Sequence, residues 1–361
     1  MKTQDAGLSI DEQEHLIALA KQFRIGTPKE VLPYGSGAIN ETYLVKIPRG
    51  NPHRRSILQM LHPVFKISVL EDMEAVTGWL VKRGMTTPFL IPTKQGGLCI
   101  QEGGHYWRML SYMPGVSYEY PPDEPRVESS ARLLARFHKE TASLQWEFKH
   151  AIPNFHDTPR IMRKLYEVSY RFKGTMRYDA LASLVERVLG AYAHLAPTIP
   201  NLPKRLIHSD PKFSNVRFDE NGTEAIAMLD LDTLGRGPII ADLGDAVRSW
   251  CYASEEKFGK AVNVFSLPYF DAFLRGYFWE TSLLGREEKD AVLEGTELLM
   301  LELAARFVLD AFEENYFKLG AQKYPNLFEQ NRTRALGQLA LYEDLQYKRH
   351  EALVLLRRHT P

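Results

Sequence analysis

Three side chains in the middle of the chain have types and spacing suited to chemistry: Asp210, Asn215 and Asp230. The first two stand in His208-Ser-Asp210-Pro-Lys-Phe-Ser-Asn215, and the third opens Asp230-Leu-Asp232 at the end of an apolar run. A carboxylate two residues after a His can accept a proton from a hydroxyl group. The oxygen of an Asn amide and a second carboxylate suit Mg²⁺, which takes hard oxygen donors and shares itself with nucleotide phosphates. The chemistry this set describes is phosphoryl transfer, with Asp210 as base and Asn215 and Asp230 as metal ligands.

Local elements must bring the three together. Leu206-Ile207 is a short apolar strand that stops at His208. Val216 and Phe218 open a second strand, and 225–229 is apolar enough to return as a third. Asn221-Gly222 between them predicts a two-residue turn, which would set residue i opposite 443 − i. Asn215 and Asp230 then emerge at the same end of the hairpin, and Asp210 lies in the loop feeding that end.

Composition narrows the classes. The 361 residues carry 45 basic and 45 acidic side chains, so no field favours nucleic acid or an anionic membrane. A hydrophobic share of 44% supports a sizeable core. Two cysteines, Cys99 and Cys251, make no disulfide framework and fit a reducing cytoplasm. No run reaches the length of a membrane span, and the start lacks an apolar signal core.

Upstream, a helix over 9–23 precedes strand-like runs at 30–34, 41–47 and 56–60. Gly35-Ser36-Gly37-Ala38 separates the first two, and its glycines let backbone N–H groups approach a phosphate. No Gly-Lys-Ser/Thr follows, and no helix follows at once, so neither a P-loop nor a dinucleotide fingerprint is present. In protein kinases the third strand bears a Lys that pairs with phosphate; here Gln59 takes that place, a donor without charge. Helix 67–83 offers Glu74 as an acidic partner for that strand. A hairpin at 98–112, with a turn at Gly103-Gly104, ends in Tyr112-Met113-Pro114-Gly115, an interdomain hinge. The boundary predicted there gives lobes 1–113 and 114–361.

The second part reads as helical: 127–144, 160–172, 178–194, a helix beginning near Asp242, then 268–284, 287–316 and 326–358. Asp157 or Thr158 caps one start, and His156 before it reads as a packed core-edge residue. Asp242 reads as a helix-start residue rather than a catalytic one. Arg306, Asp310 and Tyr316 recur among apolar residues. The Arg306 cation pairs with Asp310 or holds a substrate oxygen.

Taken in order, several segments carry a resemblance: 33–45, Ile57-Leu-Gln-Met60, Phe155-His-Asp-Thr-Pro159, His208 to Asn215, Leu229-Asp-Leu-Asp-Thr233, Asp242-Leu-Gly-Asp245, Arg306-Phe307 and Tyr316-Phe317. The chain resembles the aminoglycoside phosphotransferase / choline kinase superfamily and, within it, the N-acetylhexosamine 1-kinases. The resemblance implies an α+β, protein-kinase-like bilobal fold: a small N-terminal antiparallel sheet lobe and a larger, mostly helical C-terminal lobe. It implies ATP and Mg²⁺ as cofactors and a small-molecule acceptor, a sugar phosphorylated at its anomeric hydroxyl. By the same resemblance Gly35, Ser36, Gly37 and Asn40 cover the nucleotide with Gln59 and Glu74. Tyr112 and Met113 flank the adenine, and Arg306 and Tyr316 contact the acceptor. Ala38 stands where the hexosamine kinases have a substrate-contacting His. Choline, homoserine, methylthioribose or an aminoglycoside are the alternative acceptors, and a pseudokinase is the alternative class.

Overall fold

The computed structural model describes residues 8–35, 40–48, 54–150, 152, 155–257 and 260–360. Helix α1 (Ile10–Ala20) starts where the sequence supplies a capping box. The Ser9 hydroxyl accepts from the Glu12 N–H, and the Glu12 carboxylate accepts from the Ser9 N–H. Strands β1 (Glu30–Pro33), β2 (Glu41–Lys46) and β3 (Arg55–Met60) follow, then helix α2 (Val69–Lys82) and the hairpin β4 (Ile100–Glu102) with β5 (His105–Ser111). The five strands make one antiparallel sheet in the order β1-β2-β3-β5-β4. Alternation sorts its two faces. Leu58 and Met109 join Leu16, Leu19 and Phe23 of the α1 side, whereas Ile57 and Leu110 join Met73 and Val76 of α2.

After Ser111 the chain crosses to α3 (Glu124–Thr141). Gly115 is required at the crossing: it sits at φ +107, and a Cβ there would lie 1.8 Å from the carbonyl oxygen of Phe218. The remaining chain is built of α4 (Thr158–Arg171), α5 (Met176–Leu195), α6 (Ile239–Trp250), α7 (Leu267–Glu280), α8 (Arg286–Asp290), α9 (Val292–Glu313) and α10 (Leu327–His359). Three two-stranded ribbons interrupt the helices. They pair β6 (Lys204–Ile207) with β9 (Gly235–Pro238), β7 (Val216–Phe218) with β8 (Ala225–Met228), and β10 (Tyr252–Lys257) with β11 (Lys260–Phe265). A continuous core runs from α2 and the sheet through α3 and β7 to α6 and α7, while α4, α5, α9 and α10 bury a second apolar cluster.

Three expectations change, and the ribbon β10–β11 occupies a stretch to which no element was assigned. The predicted helix over 287–316 is two: α8 ends at Asp290, and α9 stops at Glu313 because Glu314 turns left-handed at φ 50. Tyr316 therefore lies in a loop. Helix α6 starts at Ile239, a turn ahead of Asp242. The β7–β8 connection is not a two-residue turn either. Gly222 is left-handed at φ 71 but Asn221 is not. The Asp219 carboxylate accepts from the N–H groups of Thr223 (2.6 Å) and Glu224 (3.1 Å), organising a wider loop. Phe218 does face Ala225 as expected, and a bulge then moves the mouth of the ribbon to Val216 opposite Met228.

Candidate active site

The β6 strand ends at His208, and a set of buried acceptors fixes the loop that follows. Asp242, fully buried on α6, accepts from the N–H groups of His208 (2.6 Å) and Ser209 (2.7 Å). Behind it the His138 ring lies 2.9 Å from the same carboxylate. Burial alone would raise the Asp242 acid, but the bonds and charge of His138, with His208, hold it below the usual carboxylate range. The His208 ring reaches the Leu229 carbonyl at 2.9 Å, and the Trp250 indole donates to the Pro211 carbonyl at 2.8 Å. Ser209 takes the left-handed region at φ 69, a strained choice for a residue with a Cβ, which the Asp242 bond holds in place.

Out of this loop Asp210 projects, half-buried. The Asn215 Nδ2 donates to the Asp210 carbonyl (2.8 Å) and carboxylate (3.2 Å), which leaves the amide oxygen of Asn215 free to meet a cation. Leu229 N–H donates to the Asn215 carbonyl at 2.7 Å, so the mouth of the β7–β8 ribbon carries Asn215 directly beside the approach to Asp230. Asp230 is itself left-handed, at φ 59. The residue keeps solvent-exposed surface. Desolvation pushes its acid up to about 6, and the neighbouring Asp232 charge adds to the rise against the pull of Lys212.

Two residues escaped the sequence reading here. Lys212 donates to the Asp210 carboxylate at 2.8 Å. Burial opposes its charge, but Asp210, Asp230 and Asp245 outweigh burial and raise its affinity for the proton. Its place two residues after Asp210 was a signal that could have been used. Arg108 was less legible: a cation inside an apolar strand, whose partner lies 124 positions away. It is 2% exposed on β5, and it forks onto both oxygens of Asp232, at 2.7 Å through Nη2.

The nucleotide-side candidates are placed as follows. Gln59 lies next to Arg108 and accepts from its Nε (3.0 Å) and Nη2 (2.8 Å), while its own amide donates to Thr42 (3.0 Å). Glu74 is exposed on α2 and is not the partner of β3; Arg108 is. Asn40 is spent structurally, its Nδ2 donating to Asp232 at 2.8 Å and its oxygen accepting from the His62 N–H at 3.0 Å. Gly35 is left-handed at φ 75; Ser36, Gly37 and Ala38 lie outside the described residues. The Tyr112 hydroxyl accepts from Arg55 and Arg217, and the Met113 carbonyl already accepts from the Arg217 Nε at 3.0 Å.

On the other flank of Asp210, His156 is a structural bridge rather than only a packed ring. Its Nε2 reaches the Ser209 carbonyl at 2.9 Å and its Nδ1 the Glu302 carboxylate at 3.0 Å. Glu302 also accepts from Thr158 at 2.6 Å and pairs with Arg306 at 2.9 Å. Burial works against both charges of the His156–Glu302 pair. Their mutual attraction wins, holding Glu302 down at about 2 and raising His156. The expected Arg306–Asp310 pair does not form. Asp310 instead accepts from the N–H groups of Asn315, Tyr316 and Phe317 and from the Asn331 amide. Arg306 lies over the Phe155 ring at 4.8 Å, and its Nε is buried with no partner among the described residues. The Tyr316 ring is 55% exposed at the edge of this flank.

The antiparallel sheet with its helices, followed by a mostly helical remainder, is a protein-kinase-like, bilobal α+β fold. The chain belongs to the phosphotransferase enzyme family, whose model matches residues 30–278. It is similar to the homoserine kinase of Caulobacter vibrioides, with 22% identity over 268 residues, 74% of this chain and 78% of the relative. Among solved structures it is similar to a microcompartment-associated aminopropanol kinase, at a TM-score of 0.61, 17% identity, and coverage of 93% of this chain and 98% of the other. It is also similar to an amicoumacin kinase determined with AMP-PNP and Ca²⁺, at a TM-score of 0.58, 14% identity, and coverage of 89% and 92%.

Proposed function

We propose that this protein transfers the γ-phosphoryl group of ATP to a hydroxyl of a small polar molecule, with Asp210 as the base. The observation that carries the reading is the shared mouth of the β7–β8 ribbon. Asn215 is bonded to Asp210 there, and Asp230 follows one residue past the Asn215–Leu229 contact. The donor set is hard oxygen throughout, which fits Mg²⁺. Asn215 and Asp230 would hold it, and the ion would neutralise charge on the phosphates. Asp210 orients the acceptor hydroxyl and takes its proton as the phosphoryl group leaves ADP in line. Lys212, already on Asp210, is a cation directly beside the proposed base. Arg108 ties Gln59 to Asp232, so the nucleotide-side sheet and the metal-side loop hold one register. Cys99 and Cys251 are unpaired, and a reducing cytoplasm is the compartment we infer.

The acceptor flank favours two readings. Arg306, in reach of the catalytic loop through Glu302 and His156, supports a sugar whose ring oxygens it would hold, with the anomeric hydroxyl as the point of attack. Asp245 favours an amine-bearing alcohol instead. It is 6% exposed, one oxygen takes the Arg248 fork at 2.6 and 3.0 Å, and the other is buried without a partner among the described residues. A carboxylate oxygen left so is a place for an ammonium group. The homoserine and aminopropanol kinases that the chain is similar to are named for amine-bearing alcohols, which supports the second reading. ADP release across sugars, amino alcohols and choline decides between them, with ³¹P NMR of the product to show whether the phosphate is anomeric. No turnover with any acceptor, while ATP binds, would overturn the kinase reading.

A further inference from the structure

Resting on the phosphotransferase reading, one cation on the acceptor flank stacks on rings but makes no hydrogen bond or ion pair among the described residues. Arg334, on α10, lies with its guanidinium 4.0 Å from the centre of the Phe307 ring and 4.8 Å from that of Phe317. These are the residues directly after Arg306 and Tyr316. No carboxylate pairs with Arg334 and no acceptor takes its N–H groups among the described residues. The acids nearby are engaged: Glu302 by His156, Thr158 and Arg306, and Asp310 by four N–H donors. Arg248, the next cation along the cleft, uses Asp245. Burial and the Arg248 charge both weaken the hold of Arg334 on its proton. The charges of Tyr324, Asp310 and Tyr120 act in its favour, but none of them takes a hydrogen bond from it; a half-buried guanidinium beside another cation and without a bonded acceptor is a group that proteins pair or leave for a ligand. The buried, unpartnered Nε of Arg306 one residue before Phe307 is a second donor in want of an acceptor.

We propose that the phosphoryl acceptor carries an anionic group, a carboxylate in the first instance, and that Arg334 holds it. The guanidinium fork matches a carboxylate through two parallel N–H bonds, and a phosphate monoester offers the same chemistry. With Asp245 on the amine side, the flank then reads as a site for a hydroxyl compound bearing both charges.

The test uses two near-isosteric pairs that differ in that charge, L-homoserine with L-homoserinamide and 4-hydroxybutyrate with 4-hydroxybutyramide, and a third pair that differs by the whole anionic group, glycerol 3-phosphate with glycerol. Binding is measured by calorimetry on the full chain with ADP and Mg²⁺ present, and turnover by ADP release with ATP. The charged member of at least one pair is expected to bind at least about tenfold more tightly. The Arg334→Met variant should bring that ratio to about one and Arg334→Lys should retain part of it; a cooperative melting transition in each variant shows that the fold survives. A first-pair or second-pair preference assigns the site to carboxylates, and a third-pair preference alone assigns it to phosphate esters. Equal binding within every pair, or a charge preference that survives Arg334→Met, overturns the proposal. Phosphorylation of both members at equal efficiency would sink the anion site and leave the kinase standing. Charge-dependent binding without turnover would do the reverse.

Discussion

The two flanks of Asp210 are built on opposite plans. On the side proposed for the metal the carboxylates and amides satisfy one another, and the buried His150 ring, unpartnered among the described residues, is the exception. Asp232 gives both oxygens to Arg108 and a further bond to Asn40, Asp242 gives both of its oxygens to the catalytic loop, and the Asn215 amide nitrogen is spent on Asp210. On the acceptor side the Arg306 Nε, an Asp245 oxygen and the Asn331 amide oxygen are buried and unpartnered among the described residues. The first plan suits groups that must already stand in place when the phosphate arrives, because donors fixed in advance cost no reorganisation at the moment of reaction. The second suits a pocket that its ligand completes. Fixed chemistry beside an unfinished pocket is how one fold can serve many acceptors.

The largest test of this contrast removes the chemistry and leaves the pocket. Asp210→Asn keeps the shape of the loop and the bond partners of Asn215, but it cannot accept a proton. Its kcat is expected to fall by roughly 10²–10⁴-fold, with ATP affinity and the melting transition retained. Turnover near the normal rate would show that the base lies elsewhere. Asp230→Ala is the companion: Mg²⁺-dependent enhancement of nucleotide binding should vanish in a calorimetric titration, and an unchanged titration would strip Asp230 of its metal role.

How much of this was legible without coordinates follows from sequence distance. The Asp210, Asn215 and Asp230 set could be proposed because all three stand within 21 residues, in one short ribbon and the loop that feeds it, and hairpin register is local information. Even there the turn was misjudged, since Asp219 builds the loop from its own side chain; the bulge beside Phe218 then changed the pairing at the mouth. Arg108 with Asp232, and His156 with Glu302, join residues over a hundred positions apart, and nothing in either segment names the partner. Glu74 was chosen by helix position, but the α2 face turned inward carries Asp72, which accepts from the N–H groups of Lys149 and His150. Tyr316 was counted as helical because the apolar spacing runs on past Glu313. The Asp310 bonds to three successive N–H groups are what end the helix there, and periodicity does not record them.

Next in size is the tie between sheet and metal loop. Arg108→Met leaves the Asp232 carboxylate buried with the neutral Asn40 amide but without its cation, and Asp232→Asn leaves a buried guanidinium half-paired. Loss of one partner of such a pair costs about 3–5 kcal/mol, whereas replacing both with apolar groups of similar volume is far milder. The single variants are expected to lose that much in urea denaturation, and Arg108→Met with Asp232→Leu to recover most of it. The double variant should nonetheless bind nucleotide more weakly, because the sheet no longer registers on the metal loop. Full nucleotide affinity in a stable double variant would make the pair a matter of stability alone and blur the contrast with the acceptor flank.

The smallest effect probes a part of the acceptor flank that is self-satisfied. Both ring nitrogens of His156 face acceptors, the Ser209 carbonyl and the Glu302 carboxylate, so the ring is held as an imidazolium. Its raised proton affinity means that its contribution is fully present below the unfolded value of about 6.5 and is lost as pH rises through the folded one. Glu302, held down at about 2, runs the other way. Its contribution is present above the unfolded value of about 4.3 and is lost as pH falls toward the folded one. The pair is therefore worth most between roughly pH 4.5 and 6.5. His156→Gln keeps a donor toward Glu302 without the charge. The stability gap between the intact protein and this variant, read from urea midpoints at constant ionic strength, should reach about 2 kcal/mol in that window and shrink on both sides. A gap that stays level from pH 4 to 9 would mean the ring is neutral, and the acceptor flank would then hold one more group waiting for a ligand.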